Sequence, residues 1–283
     1  MYPRPIPPTA PLRRGVYIGL VSLVLLLWLL PLFTVMVTSL RSFEEVMAGN
    51  YWGWPKSFNL IENYTAVFTQ TAMARYFVNS LVITLPSVVG VLVLSTLTGY
   101  VLSRHRFPGA NLVFALFVGG NFLPAQIMMI PVRDLMVALG LYDTYAALIV
   151  FHVAFQTGFA TLFMRNFIAA LPDELFQAAR SEGASPGQTL VHVVLPLVRP
   201  ALAALAILTF TFVWNDYFWA IVLTQSDAVK PVTAGLSNLR GEYVSAWNLV
   251  SAATVIVAVP PVLMFFLMQR HFIAGLTVGA VKG

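Results

Sequence analysis

Six stretches of mainly apolar residues, each about twenty residues long, recur along this chain of 283 residues. A helix needs roughly 20 such residues to cross the hydrocarbon core of a bilayer. Backbone groups in lipid must be satisfied within the spanning segment, which favours helices. The sequence therefore predicts an all-α membrane protein with six transmembrane helices, at Val16–Val37, Tyr76–Leu102, Asn111–Val132, Tyr142–Met164, Leu202–Thr224 and Leu249–Met268.

The composition agrees with a protein whose main solvent is lipid. Hydrophobic residues make up 59% of the sequence and charged residues 10%, whereas soluble domains carry about 25% charged residues. The first apolar stretch is too long for a signal-peptide core and lacks a small-residue cleavage site, so we expect it to be retained as a helix. The basic residues flank apolar stretches and form no stripe with interleaved aromatics, which argues against nucleic-acid binding.

The sequence lacks the patterns of an ATP site, a metal centre or a catalytic apparatus. It contains no cysteine, which excludes disulfides and thiolate ligands or nucleophiles. It contains no Gly-x-x-x-x-Gly-Lys-[Ser/Thr] loop, no His-Glu-x-x-His pair and no catalytic Ser/His/Asp set. We therefore expect a protein that is not an enzyme and that itself binds no metal or cofactor.

Basic residues are distributed unevenly between the two sides of the membrane. With the N-terminus inside, cytoplasmic segments hold ten Lys and Arg residues and external segments hold six. Because such residues favour the cytoplasmic side, both termini are predicted to be cytoplasmic. The predicted parts are a proline-rich N-terminal tail (1–15), a six-helix domain (16–272) and a C-terminal tail (273–283), with external segments at 38–75 and 225–248. The external Tyr51, Trp52 and Trp54 are typical of headgroup level.

The inner segment 165–201 has the pattern of two short helices. Pro172 suits the first position of a helix, and Asp173 and Glu174 suit its positive end. Gly183 can end that helix in a left-handed conformation. Ser185 and Gln188 have capping-box spacing, which predicts a second helix toward Pro196. From the residues alone, this unit could dock onto another protein or rest on the lipid headgroups.

The same segment resembles the EAA loop of ABC importer permeases. Gln177-Ala178-Ala179 is followed after three residues by Gly183, and after nine more by Val193-Val194-Leu195-Pro196. The family has Glu where this chain has Gln177, so an ion pair made by that Glu would become a neutral hydrogen bond; Glu174 could supply a charge instead. The resemblance implies that a separate ATPase is contacted by Glu174, Gln177, Ala178, Ala179, Arg180, Glu182, Gly183, Leu195 and Pro196.

Other segments are similar to the carbohydrate, maltose-type branch of that family. They are Asn79-Ser80, Gly99-Tyr100, Trp214-Asn215-Asp216-Tyr217 and the ending Gly275–Gly283. The resemblance implies the six-span second membrane subunit of a type I ABC importer for a sugar or oligosaccharide, in the inner membrane of a bacterium or archaeon. Its implied partners are a different permease subunit, two ATPase subunits that hold ATP and Mg, and an extracytoplasmic sugar-binding protein.

The resemblance also suggests roles for one external segment and for the C-terminal tail. The segment 225–248 would contact the binding protein through Pro231, Gly235 and Arg240, the alternative being a plain solvated loop. The glycines and small residues of the apolar C-terminal tail favour an extended strand, and the resemblance implies that this tail lies between the ATPase subunits, through Gly275, Leu276, Thr277, Gly279 and Lys282. The membrane surface is a less suitable cover for this tail, because it lacks a basic polar face.

Polar residues within the predicted spans have competing interpretations. Asp216 could hold its helix by a structural hydrogen bond, line the translocation path or couple to protons, and His152 fits a packed, hydrogen-bonded histidine. Asn121, Gln126 and Asn215 could contact sugar hydroxyls near the pore, or could join helices by ordinary hydrogen bonds. The candidate path is therefore Asn121, Gln126, Asn215 and Asp216.

Three other functions remain open from the residues alone. A secondary transporter would show inverted repeats and several intramembrane charges, of which only Asp216 is present, and it would leave the EAA-like loop unexplained. A permease for a non-sugar solute and an integral membrane enzyme are the other two. Copurification of an ATPase would exclude the first and third together.

Overall fold

The computed structural model describes residues 11–49, 51–239 and 246–280, and within these ranges it describes side chains from Leu12 to Gln269. The described residues are mainly helical and contain no strand. In chain order the helices are α1 (Pro11–Thr38), α2 (Phe43–Met47), α3 (Leu60–Thr69), α4 (Met73–Arg104), α5 (Ala110–Gly120), α6 (Met129–Ala138), α7 (Tyr145–Ala169), α8 (Asp173–Ser181), α9 (Pro186–Leu197), α10 (Arg199–Trp214), α11 (Phe218–Leu223), α12 (Val232–Ser237) and α13 (Trp247–Ala280).

Four of the six predicted spans are single helices of sufficient length and hydropathy. They are α1, α4, α7 and α13, and the two bent helix pairs bring the described total to as many as six. Helix α1 begins at Pro11, five residues before the predicted start, which is consistent with the preference of proline for the first turn of a helix. The rest of the proline-rich tail, residues 1–10, lies outside the described residues.

The third predicted span, Asn111–Val132, is wrong as a single helix. Helix α5 ends at Gly120, a 3-10 turn covers Ala125–Met128, and the segments on either side of the break are bent by 97°. The side-chain amide of Asn121 donates to the Phe117 carbonyl (2.6 Å), and Pro124 has no N–H with which to continue a helix. These two residues account for the break.

The fifth predicted span, Leu202–Thr224, is also wrong in its boundaries. Helix α10 runs only from Arg199 to Trp214 and meets α9 at an angle of 77°. The Asp216 carboxylate accepts hydrogen bonds from the backbone N–H groups of Trp219 (3.3 Å) and Ala220 (3.2 Å). Asp216 therefore caps a new helix, α11, at a break and does not lie in the middle of a continuous one.

The C-terminal region differs from its prediction as well. Helix α13 continues without interruption to Ala280, so the extended strand predicted from residue 273 onward is wrong over the described residues. Once a helix exists, each further residue adds a hydrogen bond at little cost, and no proline follows Pro261 in this chain. Residues 281–283 lie outside the described range.

The chain divides into two compact units, of which the larger comprises residues 72–238 and 257–283. Its main contact is α4 against α7, where Gly90 and Gly99 let the helices approach closely. A Cβ atom on Gly99 would lie 2.9 Å from the Arg165 backbone nitrogen. The hydroxyls of Thr98 and Thr161 are hydrogen-bonded across the same contact (2.7 Å). Small and hydroxyl residues are the usual means by which membrane helices pack.

The smaller unit comprises residues 1–71 and 239–256. Within it, the buried Asn63 amide donates to the carbonyls of Ser39 (2.9 Å) and Arg41 (2.8 Å). Asn248 in turn donates to the side-chain oxygen of Asn63 (2.9 Å). These bonds join the turn after α1 to α3 and to the first part of α13.

Candidate functional site

The predicted coupling loop is a helix–turn–helix, as its sequence indicates. Helix α8 carries Asp173 and Glu174 in its first turn and Arg180 in its last, which complements the helix dipole. Gly183 follows with a left-handed φ of +78°, confirming the predicted turn. Ser185 and Gln188 form the reciprocal capping box at the start of α9, which is also confirmed.

The two faces of α8 differ sharply in exposure. Phe176 (4% exposed) is buried in a cluster with Met164, Ile168 and Val194, and Ala179 (6% exposed) is buried as well. Ala179 is therefore mainly a packing residue, and only a small part of its surface is exposed. The other predicted coupling residues of this region are exposed: Glu174, Gln177, Ala178, Arg180, Glu182 and Gly183.

Two concavities flank the exposed side of α8. A groove of about 480 Å³ between α8 and α9 is lined by Leu175, Ala178, Ala179, Glu182, Gly183, Ala184, Gln188, His192 and Val193. A more polar cavity of about 830 Å³ opens between α8 and the end of α4, where Arg104, Arg106 and Arg180 face Asp173 and Gln177. Ala178 therefore lines the groove. Gln177 lines the second cavity, called the cationic cavity here because three arginines line it.

Leu195 and Pro196 lie at the far end of the loop, in the last turn of α9. A π turn over Leu190–Val194 precedes them, and Val198 (3% exposed) marks the bend into α10. Leu195 is half-buried and Pro196 is exposed. Because proline cannot donate to the preceding turn, irregular helix is expected next to Pro196. These residues shape the bend into α10.

Arg104, the last residue of α4, holds α8 in place. Its guanidinium donates to the Ile168 carbonyl (2.7 Å) in the last turn of α7 and to the Leu171 carbonyl (2.7 Å) just beyond it. It also forms an ion pair with Asp173, and its central carbon lies 3.8 Å from the centroid of the Phe176 ring. One residue thus joins the ends of α4 and α7 to the start of α8.

Tyr100 makes the second connection between α4 and the loop. Its hydroxyl donates to the Pro186 carbonyl at the start of α9 (3.2 Å), and its side chain is buried. In the sequence, Arg104 is one of the ten basic residues that indicate the orientation, and Tyr100 contributes only to the family resemblance. Neither observation predicts these contacts, because each partner lies more than sixty residues away in the sequence.

The four candidate path residues are not brought together in one cavity. Asn121 lines two neighbouring cavities of about 540 and 420 Å³, whereas Gln126, Asn215 and Asp216 line neither. The larger cavity is walled by Phe155, Phe159, Leu208, Thr209 and Phe212, and it also contains Gln156, a residue that sequence reasoning missed. The buried side-chain nitrogen of Gln156 has no hydrogen-bond partner among the described residues.

Asp216 and Asn215 have structural partners at the break after α10. Besides capping α11, Asp216 lies 3.6 Å from the buried imidazole of His152, a partner that the sequence did not reveal. The Asn215 amide donates to the Thr211 carbonyl (2.9 Å), and the Thr233 hydroxyl donates to the Asp216 backbone carbonyl. This network fits the structural interpretation of Asp216 and the packed interpretation of His152.

The segment that follows α11, described up to Leu239, is packed against α4. Asn79 donates to the carbonyls of Ala228 (3.0 Å) and Lys230 (2.9 Å). Gly235 is buried, and a Cβ atom there would lie 2.1 Å from the Tyr76 ring. The hydrogen bond from Lys230 lowers the pKa of Asp227. Gly235 is therefore a packing position in this structure, and Pro231 begins α12 from a buried site.

Several predicted contact residues lie outside the described residues, or have side chains that do. Arg240 lies in the undescribed range 240–245, and Lys282 lies beyond Ala280. Gly275, Leu276, Thr277 and Gly279 belong to the helical backbone of α13, and their side chains are outside the described set.

Replacing Arg104 should loosen α8 specifically. Hydrogen bonds to charged groups contribute about 1.5–3 kcal/mol, so we expect Arg104→Gln to speed amide hydrogen exchange in residues 173–181 by about tenfold or more. Arg106→Gln, at an exposed position two residues beyond the end of α4, is the matched control and should leave those rates unchanged. Equal rates in wild type and Arg104→Gln would mean that the packing of Phe176 alone holds α8.

Comparison with known proteins agrees with this architecture. Residues 76–278 match the family described as binding-protein-dependent transport system inner membrane component. The arabinooligosaccharides transport system permease AraQ of Halalkalibacterium halodurans is 35% identical over 89% of this chain and 91% of its own length. The osmoprotective compounds uptake permease GgtD of Synechocystis sp. is 34% identical over 90% of this chain and 88% of its own length.

Solved structures show the same fold. A chain of a bacterial ABC transporter that imports the acidic polysaccharide alginate superposes with a TM-score of 0.83, at 24% identity, over 96% of this chain and 99% of that one. A chain of a bacterial alginate transporter in complex with an alginate pentasaccharide-bound periplasmic protein gives 0.67, at 16% identity, over 92% and 95%. The all-α fold predicted from the sequence is confirmed, and the chain belongs to the family of binding-protein-dependent transport system inner membrane components.

Proposed function

We propose that this chain is a membrane-spanning permease subunit of an ATP-driven importer for a sugar or oligosaccharide. The observation that carries the proposal is the α8–α9 loop, a two-helix element fastened to α4 and α7 by Arg104 and Tyr100. Its outward side combines exposed Ala178 and Glu182 with an open groove. Such a rigidly held surface can pass movement of a docked protein to the spanning helices.

The docked protein is proposed to be a separate ATPase, which holds ATP and Mg. Small side chains such as Ala178 allow its surface to approach closely, and Glu174 and Glu182 supply exposed carboxylates. Gln177 lines the cationic cavity with Arg104, Arg106 and Arg180. A neutral amide at this position leaves the positive charge of the cavity largely uncompensated, so the cavity would favour an acidic side chain of the ATPase.

The substrate class rests on the relatives. Besides AraQ, the melibiose/raffinose/stachyose import permease MelC of Bacillus subtilis is 30% identical over 90% of this chain and 91% of its own length. These names favour a sugar or oligosaccharide as the solute carried here. GgtD, whose name refers to osmoprotective compounds, supports a second candidate, a small osmoprotective solute.

The cavity around Gln156 is the part of the chain best suited to line the translocation path. It combines aromatic walls, which suit the apolar faces of a sugar ring, with two amides, Asn121 and Gln156. An unpartnered buried amide nitrogen is costly unless a ligand or water satisfies it. The path is therefore proposed to involve Asn121 and Gln156, with Asn215 and Asp216 maintaining the helix break and Gln126 placed outside the cavity.

The remaining partners follow from the family and from the relatives. We propose a second, different permease subunit, two ATPase subunits and an extracytoplasmic sugar-binding protein, in the inner membrane of a bacterium or archaeon with both termini cytoplasmic. The binding protein would meet the external side near Arg240, next to the packed segment that ends at Leu239. The end of α13, from Gly275 to Ala280, would approach the ATPase subunits as a helix, and Lys282 follows it in the sequence.

A carboxylate in the groove should break the coupling contact. We expect Ala178→Asp to abolish uptake and ATPase retention during purification while leaving membrane insertion intact, because a charge would be forced against the docked surface without a partner. Ser181→Asp is the matched control, since Ser181 is an exposed residue of the same helix that lines neither concavity. Uptake by reconstituted complex and the ATPase content of the purified sample are the measurements.

Normal uptake and normal ATPase retention in Ala178→Asp would sink the docking claim. Loss in both Ala178→Asp and Ser181→Asp would show a general intolerance of charge on α8 and would remove the support for the groove.

The Gln156 cavity can be tested separately. Gln156→Leu removes the amide at similar volume and should lower uptake by about tenfold, with the ATPase still bound, because a hydrogen bond to substrate is worth about 1–1.5 kcal/mol. Gln126→Leu makes the same change outside the cavity and should have little effect. A strong loss in Gln126→Leu with none in Gln156→Leu would place the path elsewhere.

A further inference from the structure

The external turn after α1 contains a buried arginine that no part of the proposed transport cycle uses. Arg41 is 0% exposed, although it lies only three residues beyond the end of α1. One terminal nitrogen donates to the Tyr51 carbonyl (3.2 Å) and to the Gly53 carbonyl. Burying a guanidinium costs free energy, so we expect the backbone that Arg41 holds to have a role.

Two further contacts bind the same stretch of chain to the turn after α1. The Glu45 carboxylate accepts from the Lys56 backbone N–H (2.6 Å), which lowers the pKa of Glu45. The Asn59 backbone N–H donates to the Leu40 carbonyl (2.8 Å). Residues 51–59 are therefore folded back onto residues 40–45.

This folding turns large apolar side chains outward. Trp52 is 79% exposed and Trp54 is 76% exposed, and Phe58 and Ile61 nearby are also well exposed. Together these exposed side chains make residues 52–61 an apolar patch, which is unusual on a surface that faces only water. Something other than water is needed to cover it.

The place of this patch relative to the end of α1 indicates what covers it. The apolar part of α1, Val16–Val37, is 22 residues long, or about 33 Å as a helix, which matches the roughly 30 Å hydrocarbon core. Arg13 and Arg14 lie at one end of it, and Thr38 and Ser39 lie at the other. The hydrocarbon boundary thus falls near Thr38. Arg41 lies three residues beyond Thr38 and is hydrogen-bonded to the Tyr51 and Gly53 carbonyls, so these residues lie close to that boundary.

We propose that buried Arg41 holds residues 51–54 as a membrane-interface anchor, with Trp52 and Trp54 among the lipid headgroups of the leaflet around the Thr38 end of α1. Tryptophan is enriched at that level because its ring is apolar and its N–H is polar. The anchor fixes the depth at which α1 leaves the bilayer. It does not depend on the nature of the solute or on the docking of an ATPase.

Depth-dependent fluorescence quenching tests the anchor directly. Because the chain has no cysteine, Trp54→Cys and Trp52→Cys each provide one unique thiol for an environment-sensitive fluorophore. In the complete complex, reconstituted with nitroxide-labelled lipids, we expect quenching to be strongest with shallow nitroxides. It should be at least about twofold stronger than for Glu44→Cys, an exposed position in the same unit.

Arg41 is tested in the same background. Arg41→Gln combined with Trp54→Cys should reduce shallow quenching toward the Glu44→Cys level, whereas Arg75→Gln, at an exposed arginine, should not. The single-cysteine measurements stand even if Arg41→Gln fails to fold. Quenching of positions 52 and 54 no stronger than at position 44, with free labelling by a membrane-impermeant thiol reagent, would overturn the anchor. Shielding that appears only when a periplasmic binding protein is added would overturn it in favour of a protein interface.

Discussion

The close contact between α4 and α7 is the interaction on which the larger unit depends. Neither helix can rely on water-driven burial in lipid, so their association needs close van der Waals packing and hydrogen bonds. Gly90 and Gly99 provide the approach, since a Cβ atom on Gly90 would lie 2.7 Å from the Val153 side chain and one on Gly99 would meet the Arg165 backbone. The Thr98–Thr161 hydrogen bond adds a directional contact next to Gly99.

That packing also determines where the α8–α9 loop lies. Because α4 and α7 end side by side, Arg104 can reach both the last carbonyls of α7 and the first turn of α8. Tyr100, one turn earlier, reaches the start of α9. A force applied to α8 and α9 would therefore be transmitted to α4 as well as to α7 and α10, the helices that adjoin the loop in sequence. Two of these helices, α7 and α10, carry the aromatic walls of the Gln156 cavity.

The sequence predicted the elements of this arrangement that depend on local chemistry. Hydropathy gave four spans closely, Gly183 marked the turn, and Ser185 with Gln188 marked the cap of α9. Hydropathy did not locate the breaks near Asn121 and Asp216, because a hydropathy average over about twenty residues is little changed by one polar residue. In the structure, each of these side chains forms hydrogen bonds with backbone groups. Arg104 and Gln156 could not be found, since their roles arise from contacts between helices distant in sequence. The prediction of an extended conformation after residue 273 was wrong over the described residues, because composition alone does not show where a helix ends.

The central claim is that α8 and α9 form the surface on which a separate ATPase docks. The most direct measurement places a photo-crosslinking maleimide on Ala178→Cys, the only thiol in the chain, in native membranes, and identifies the products by mass spectrometry. The claim predicts one dominant product that contains an ATP-binding protein, with a far lower yield from Ser181→Cys. Crosslinking of position 178 only to lipid, or to ATP-binding protein no more than position 181, would contradict it.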